Sequence, residues 1–242
     1  MEFHFEEGEV ILIDKPVGWT SFDVVNFIRS LIKRFYQIRK LKVGHAGTLD
    51  PLASGLLILC TGKMTKRIQE FQDQDKIYTG TFLLGKTTPS YDSETEPDAV
   101  FPTDHIDSEM IEATRKLFLG EQQQIPPNFS AIKVDGKRAF DYARKQQEVK
   151  LNSRTIFIHR LELDKNNFPE IAFETACSKG TYIRSLVYDF GNALNSGAYL
   201  TSLRRTQIGV FNVKNAFTPE QMKTLLIAAS PTQQELKFLK NT

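Results

Sequence analysis

The 242-residue sequence has few of the residues that define disulfide-rich, membrane-spanning or metal-binding proteins. Its two cysteines, Cys60 and Cys177, have neither metal-ligand spacing nor the numbers of a disulfide framework. We expect both to be buried thiols in a reducing compartment. The N-terminal ten residues are acidic and lack the apolar core of a signal peptide, and no apolar run has membrane-spanning length. These absences favour a soluble cytoplasmic protein.

The charge is also small, with a formal net charge of +2 and an isoelectric point near 8.4. A nucleic-acid partner must therefore be argued from local basic patches and not from bulk charge. The sequence has no Rossmann fingerprint, no P-loop and no metal-ligand cluster, so we expect no cofactor and no metal. An apolar fraction of 40% is enough for the core of one large domain, alone or with a small appendage.

The stretch from Gly44 to Leu57, GHAGTLDPLASGLL, holds a lone carboxylate, Asp50, among small residues. An Asp-Pro step close to three glycines predicts a rigid loop, and the apolar run that follows predicts a buried strand over 56–60. Such a loop can hold a reactive acid in place and let a ligand approach closely. An Asx-turn, in which Asp50 only caps its own loop, explains the same residues.

Six stretches, in matching order, resemble the TruB family of bacterial tRNA pseudouridine synthases. Besides the Asp50 loop they are DKPVGWTSFDVV from Asp14, DKIYTGTFLLG from Asp75, IPPNFSAIKVDGKRAFDYAR from Ile125, CSKGTYIRSLVYDFG from Cys177 and LRRTQIG from Leu203. The resemblance implies isomerisation of the uridine at position 55 in the T-loop of tRNA. It also implies a mixed α/β (α+β) fold, with a central, largely antiparallel sheet flanked by helices, that acts without a guide RNA or an obligatory protein partner.

The resemblance also assigns roles to individual residues. Asp50 would initiate cleavage of the glycosidic bond, and Arg184 would be its charge partner. Tyr78 would stack on the target base and assist proton transfer, and His45 would fill the space that the flipped base leaves. The other predicted substrate-binding residues are Leu203, Lys76, Lys15 and Gly47.

The roles of Tyr78 and His45 have plainer alternatives. Tyr78 at a strand start can be half-buried packing, and His45 can be a hydrogen-bonded loop histidine. Arg184 lies off the apolar face of its predicted helix, in the first turn, where a cation gains nothing from the helix dipole. A pair with Arg184 would lower the pKa of the Asp50 carboxyl by roughly 1–3 and keep it ionised. Whether Asp50 attacks the base, attacks the sugar or removes a sugar proton stays open.

Two basic clusters are candidate RNA contacts, although each can also be a solvated surface. The first cluster is Lys33, Arg34, Arg39, Lys40 and Lys42, at the end of a predicted helix. The second is Lys137, Arg138, Arg144, Lys145 and Lys150, around Phe140 and Tyr142. Acidic residues dominate the stretch 86–107, which we interpret as a solvated excursion away from RNA. Asp92 within it matches a recurring position of the resembled family, to which the sequence assigns no role.

Periodicity and capping residues predict the remaining elements. Strands are expected over 10–13, 77–84, 154–163 and 170–177, and a hairpin is expected to turn at Asp135-Gly136. Thr20, Asp107 and Thr218 are predicted helix caps. Leu117 is expected inward with Gly120 as the stop of its helix, and Leu203 is expected at the start of the last long strand. We predict a catalytic domain over 1–217 and a short helix and tail over 218–242, without a full C-terminal RNA-binding domain.

Two other functions fit parts of the sequence. The protein could be the catalytic subunit of a guide-RNA particle, as in archaeal and eukaryotic relatives of the family. It could also be an RNA-folding chaperone, in which the basic clusters act and Asp50 is structural.

Overall fold

The computed structural model describes residues 2–145, 147 and 149–230. Its elements, in chain order, begin with the strands. These are β1 (Val10–Lys15), β2 (Val43–His45), β3 (Ala53–Thr61), β4 (Lys76–Leu84), β5 (Lys86–Thr87), β6 (Ala99–Val100), β7 (Gly120–Gln124), β8 (Lys133–Val134), β9 (Lys137–Arg138), β10 (Arg154–Asn167), β11 (Glu170–Cys177), β12 (Ala198–Ile208) and β13 (Phe211–Asn212). The helices are α1 (Ser21–Tyr36), α2 (Ile68–Gln72), α3 (Ser108–Leu117), α4 (Ala139–Ala143), α5 (Ile183–Ala193) and α6 (Pro219–Ala228), with 3₁₀ turns at Gly62–Arg67 and Val213–Asn215.

The chain divides into two compact units. The first comprises Met1–Lys76 and Arg204–Thr242, and the second comprises Ile77–Leu203. Strand β12 therefore begins in the second unit and ends in the first. In the part of the chain that the structure describes, no helix combines the length and apolarity needed to span a bilayer.

In the first unit, β3 is the central strand. It pairs antiparallel with β1, placing Ile13 opposite Leu57, and with β2, placing His45 opposite Leu59. Strand order continues from β3 to β12, on whose end β13 folds back. Because β3 is covered on both faces, its sequence is a continuous apolar run and not an alternating one.

One face of the first unit is covered by α1 and α6. Val24, Ile28 and Ile32 of α1 pack in one core cluster with Met222 and Leu226 of α6. Thr20 caps α1 in a capping box with Asp23, as predicted from the sequence. Thr218 caps α6 in the same way with Gln221.

Helix α6 is thus part of the first unit's core. The phenol of Tyr36 on α1 donates to the carbonyl of Leu226 at 3.1 Å. The tail of the predicted 218–242 segment lies beyond residue 230, outside the described residues. The other face of β3 contributes Leu56, Ile58 and Cys60 to a second cluster.

In the second unit the strand order is β12, β4, β11, β10, β7. Strand β10 pairs antiparallel with β11 and β7, placing Leu161 opposite Thr175 and Ile156 opposite Gln122. The β8–β9 hairpin turns at Asp135 and Gly136, both with positive φ, as predicted. The predicted mixed α/β fold with a largely antiparallel sheet and flanking helices is confirmed.

Three details of the predicted elements are wrong. Helix α3 ends at Leu117, whose side chain is 71% exposed, and Gly120 instead opens β7. Its cap, Asp107, is as predicted and accepts from Met110 N at 2.8 Å. Leu203 lies in the middle of β12 and not at its start, because the apolar pattern of the strand begins five residues earlier, at Ala198.

Candidate active site

The loop that carries Asp50 is fixed to the start of α1. The Leu49 N–H donates to the hydroxyl oxygen of Ser21 at 2.8 Å, and that hydroxyl donates back to the Leu49 carbonyl at 3.1 Å. The carbonyl of Asp50 accepts from Ala53 N at 3.1 Å, which closes the turn into β3. These bonds give the loop a defined backbone path, and the Asp50 side chain is half-buried on it.

Lys15, at the end of β1, is completely buried beneath this loop. Its ammonium donates to the carbonyls of Trp19 at 2.6 Å, Pro16 at 2.9 Å and Pro51 at 3.4 Å. Burial lowers the pKa of Lys15 to about 8, and the charge of Asp50 acts in the opposite direction. Lys15 therefore ties the turn after β1 to the Asp50 loop.

Arg205, on β12, holds the loop from another side. It is almost fully buried, and its guanidinium donates to the carbonyls of Leu56 at 2.8 Å and Gly47 at 3.0 Å. Gly47 has φ of +99°, which few other residues adopt without strain. The predicted site residue Gly47 thus serves as a loop anchor through its carbonyl group.

His45 ends β2, just before this loop. Burial lowers the pKa of its imidazole, the charge of Arg205 adds to that effect, and a contact with the Gly47 backbone opposes it. A lowered pKa keeps the ring neutral near pH 7. A neutral ring is the form that can take the place of a base among apolar and aromatic groups.

Arg184, in the second unit, is buried in the first turn of α5. Its Nη1 donates to the Ser90 carbonyl at 3.1 Å and its Nη2 to the Phe129 carbonyl at 2.9 Å. Its Nε lies 3.6 Å from the Oδ2 atom of Asp92. The guanidinium is therefore held by several groups and cannot swing freely.

Asp92 shows that the interpretation of 86–107 as a solvated excursion is wrong at its centre. Thr88, Ser90 and Asp92 are all buried, and Asp92 accepts from the Ser90 hydroxyl at 2.6 Å and from Glu94 N at 3.0 Å. The acidic composition of the stretch hid this role. A carboxylate that faces a buried arginine has the same sequence signature as one that faces water.

Lys76 and Tyr78 lie at the start of β4. Tyr78 is buried, with 8% of its surface exposed. The ammonium of Lys76 is also buried and donates to the carbonyls of Gln72 and Gln74. The buried ammonium groups of Lys76 and Lys15 thus both donate to backbone carbonyls of the protein, and the contact of these lysines with substrate stays a prediction.

The predicted site residues therefore fall into two groups. In the first unit, Lys15, His45, Gly47 and Asp50 share one loop system, and Lys76 lies at the start of β4. In the second unit are Tyr78, the half-buried Leu203 and Arg184.

Sequence reasoning missed the roles of Ser21, Asp92 and Arg205. Burial along β12 does not alternate regularly near Arg205, so no local pattern in the sequence identifies this arginine as buried. Cys60 and Cys177 are both buried thiols, as predicted.

Two family models match the chain. One, described as the TruB family pseudouridylate synthase N-terminal domain, matches residues 33–183. The other, described as the tRNA pseudouridylate synthase B C-terminal domain, matches residues 184–240.

Curated proteins of similar length also match. The chain is 57% identical to a tRNA pseudouridine synthase B of Flavobacterium johnsoniae over 87% of this chain and 92% of the relative. It is 52% identical to one of Phocaeicola vulgatus over 98% of this chain and 99% of the relative.

Among solved structures, one of a Cbf5-Nop10-Gar1 complex is similar, with a TM-score of 0.68 and 29% identity. The match covers 91% of this chain and 55% of that chain. A structure of an H/ACA RNP bound to a substrate RNA containing 2'-deoxyuridine matches with a TM-score of 0.65 and 26% identity, covering 91% of this chain and 54% of that chain.

Proposed function

The chain belongs to the TruB family of pseudouridylate synthases and isomerises uridine to pseudouridine in tRNA, and we propose that it modifies position 55 of the T-loop and that Asp50 initiates the reaction. The observation that carries the proposal is the Asp50 loop itself, which the buried cations Lys15 and Arg205 hold from two sides. A carboxylate mounted in this way keeps one position throughout a reaction.

The reaction places few demands on the protein. The bond between N1 of uracil and C1′ of the ribose breaks, the uracil turns, C5 bonds to C1′, and the C5 proton leaves. No electrons are gained or lost and no group is transferred to a second molecule. The protein must therefore supply a nucleophilic or basic group, hold the detached base and accept a proton.

Asp50 supplies the first of these groups in the proposal. Tyr78 stacks on the detached uracil, Leu203 lines the pocket, and Arg184 supplies the positive charge that keeps a carboxylate ionised. The target uridine must leave the stack before the bond can be reached. The neutral imidazole of His45 then fills the vacated space.

The proposed partner is the T-arm of tRNA, without guide RNA, membrane or obligatory protein partner, in the cytoplasm. The solved structures with guide-RNA particles in their titles raise the alternative of a catalytic subunit. Curated relatives of matching length are named as tRNA enzymes, which supports the stand-alone activity. Pseudouridine formation on tRNA by the purified chain, with no guide RNA added, would exclude the alternative.

The test of Asp50 is tritium release from tRNA transcripts labelled at C5 of uridine. Asp50→Asn keeps the size of the side chain but removes its charge, and we expect at least a 1,000-fold loss of rate. Asp104→Asn is the matched control, because Asp104 is exposed in a turn of the second unit. The proposal is wrong if Asp50→Asn releases tritium at the wild-type rate while remaining folded.

A further inference from the structure

Tyr91 has a backbone conformation that is uncommon for a bulky residue. Its φ is +64°, in the left-handed region that glycine and asparagine favour. The hydroxyl-bearing ring stacks on Tyr188 of α5, with ring centroids 3.8 Å apart and planes 14° apart. A strained residue persists only where the surroundings hold it, and such residues concentrate at functional sites.

The stack lies beside the groups that hold Arg184. Tyr91 separates Ser90, whose carbonyl accepts from Arg184, from Asp92, which faces the guanidinium. Tyr188 is four residues after Arg184 on α5, so both side chains leave the same face of the helix. The segment 90–92 is thus attached to α5 twice, once by charge and once by the stacked rings.

A third attachment ties the same segment to a strand. The carbonyl of Tyr91 accepts from Leu200 N at 3.0 Å, and Asp92 forms an isolated bridge with Leu200. The Tyr91 N–H donates to the carbonyl of Thr88 at 3.1 Å. The backbone on either side of Tyr91 is therefore fixed by Thr88 and Leu200, while the Arg184 contacts and the ring stack attach the same segment to α5.

We propose that the Tyr91–Tyr188 stack positions Arg184. The stack holds segment 90–92 so that the Asp92 carboxylate and the Ser90 carbonyl meet the guanidinium in one orientation. Both tyrosines are positioning residues, since they act on the reaction through Arg184. The predicted rates rest on the proposed function. The claim that the stack positions the Arg184 guanidinium rests only on contacts within the second unit.

The kinetic test compares ring removal with ring retention on a tRNA transcript. We expect Tyr188→Ala and Tyr91→Ala to lower kcat by about 10–100-fold with KM changed less than about threefold, because the lost positioning acts in the transition state. Tyr188→Phe and Tyr91→Phe keep the stack and should retain at least half of kcat. Tyr91→Gly fits the backbone but removes the ring, so it should behave like Tyr91→Ala.

A double-mutant cycle with Asp92→Asn tests whether the stack acts on Arg184 through Asp92. If the stack acts through Asp92, Tyr188→Ala adds little to the loss that Asp92→Asn already causes. Phe157→Ala is the matched control, because it removes a partly exposed ring that contacts His159 in the same unit. It should leave kcat and KM unchanged.

A second readout needs no RNA. Hydrogen exchange of the Arg184 Nε–H, followed by nitrogen-15 NMR on the whole chain, should be faster in Tyr188→Ala than in the wild type and unchanged in Phe157→Ala. This result decides the positioning claim even if the wild type proves inactive on tRNA, which would instead contradict the proposed function.

Three results would overturn the proposal. Folded alanine variants with wild-type kcat and wild-type Arg184 exchange would show that the stack positions nothing. A raised KM at constant kcat would make the rings a substrate contact. Losses that add fully to that of Asp92→Asn would show that the stack acts by another route.

Discussion

At the residue scale, two buried cations hold the Asp50 loop, although lysine and arginine side chains are usually exposed to solvent. Lys15 and Arg205 are both fully or almost fully buried, and their donors meet backbone carbonyls. The sequence indicates the Asp50 loop, because an Asp-Pro step among glycines predicts a rigid loop. It does not show which neighbouring cations turn inward, because that depends on strand pairing between residues far apart in the chain.

Asp189, on α5, carries a prediction of its own at this scale. Burial raises the pKa of its carboxyl from 3.8 to about 6. Below pH 3.8 the group is neutral in both the folded and unfolded states, so its burial has no charge penalty. As pH rises towards about 6, the unfolded chain ionises first, and the stability that depends on the neutral form is lost.

Asp189→Asn should therefore stabilise the protein at pH 8 and have little effect near pH 4. The gain at pH 8 should be on the order of 1 kcal/mol, after allowing for solvent screening of a partly exposed group. Urea unfolding at several pH values measures it, with Asp104→Asn as the exposed control. Equal effects of Asp189→Asn at both pH values would contradict the assignment.

At the element scale, the positions of helices and strands followed from local patterns in most of the chain. The capping box at Thr20 and the Asp-Gly hairpin turn each act within a few residues, so sequence alone identifies them. The predicted end of α3 was wrong because the apolar Leu117 continues the helical pattern of the sequence, whereas its side chain is exposed in the structure. Exposure is set by what packs on the helix, which a local pattern does not contain.

Gly55 in β3 tests how closely two strands of the first unit approach. A Cβ atom built at Gly55, where φ is +105°, would lie 2.2 Å from the carbonyl oxygen of Arg205. Gly18 also has positive φ, of +86°, but an added Cβ there meets nothing within 4 Å. The two glycines therefore separate backbone strain from a steric clash.

Gly55→Ala should lower the free energy of unfolding by about 3 kcal/mol or more, because the strand must move and backbone strain is added. Gly18→Ala should lower it by only about 1 kcal/mol, from the φ value alone. Chemical denaturation of both variants gives the comparison. Similar losses would show that β3 and Arg205 can separate without difficulty.

At the scale of the whole molecule, a net charge of +2 leaves RNA binding to local clusters. The first basic cluster remains exposed: Lys33, Arg34, Arg39, Lys40 and Lys42. Within the described ranges, none of the five forms an ion pair with an acidic side chain. Arg34 also lies 5.4 Å from the ring centroid of Phe35. Unneutralised cations near the strand that carries His45 fit contact with phosphate groups.

Replacing Arg39 and Lys40 with glutamine should weaken tRNA binding and reduce the slope of log affinity against log salt by about 1–2. The control is Lys116→Gln with Lys223→Gln, which removes two cations that already face acidic residues. Affinity titrations at several salt concentrations measure both slopes. Equal slopes for the two double variants would show that the first basic cluster does not contact the phosphate groups of tRNA.

The family could be predicted from the order of six short motifs, since each reflects a local requirement. The division of the site residues between two compact units could not, because it depends on which segments pack together.

The most direct test of the central claim is to map pseudouridine in an unmodified tRNA transcript treated with the purified protein and no guide RNA. We predict modification at position 55 of the T-loop with the wild type and Asp104→Asn, and none with Asp50→Asn. Modification at another position, or at position 55 with Asp50→Asn, would contradict the account.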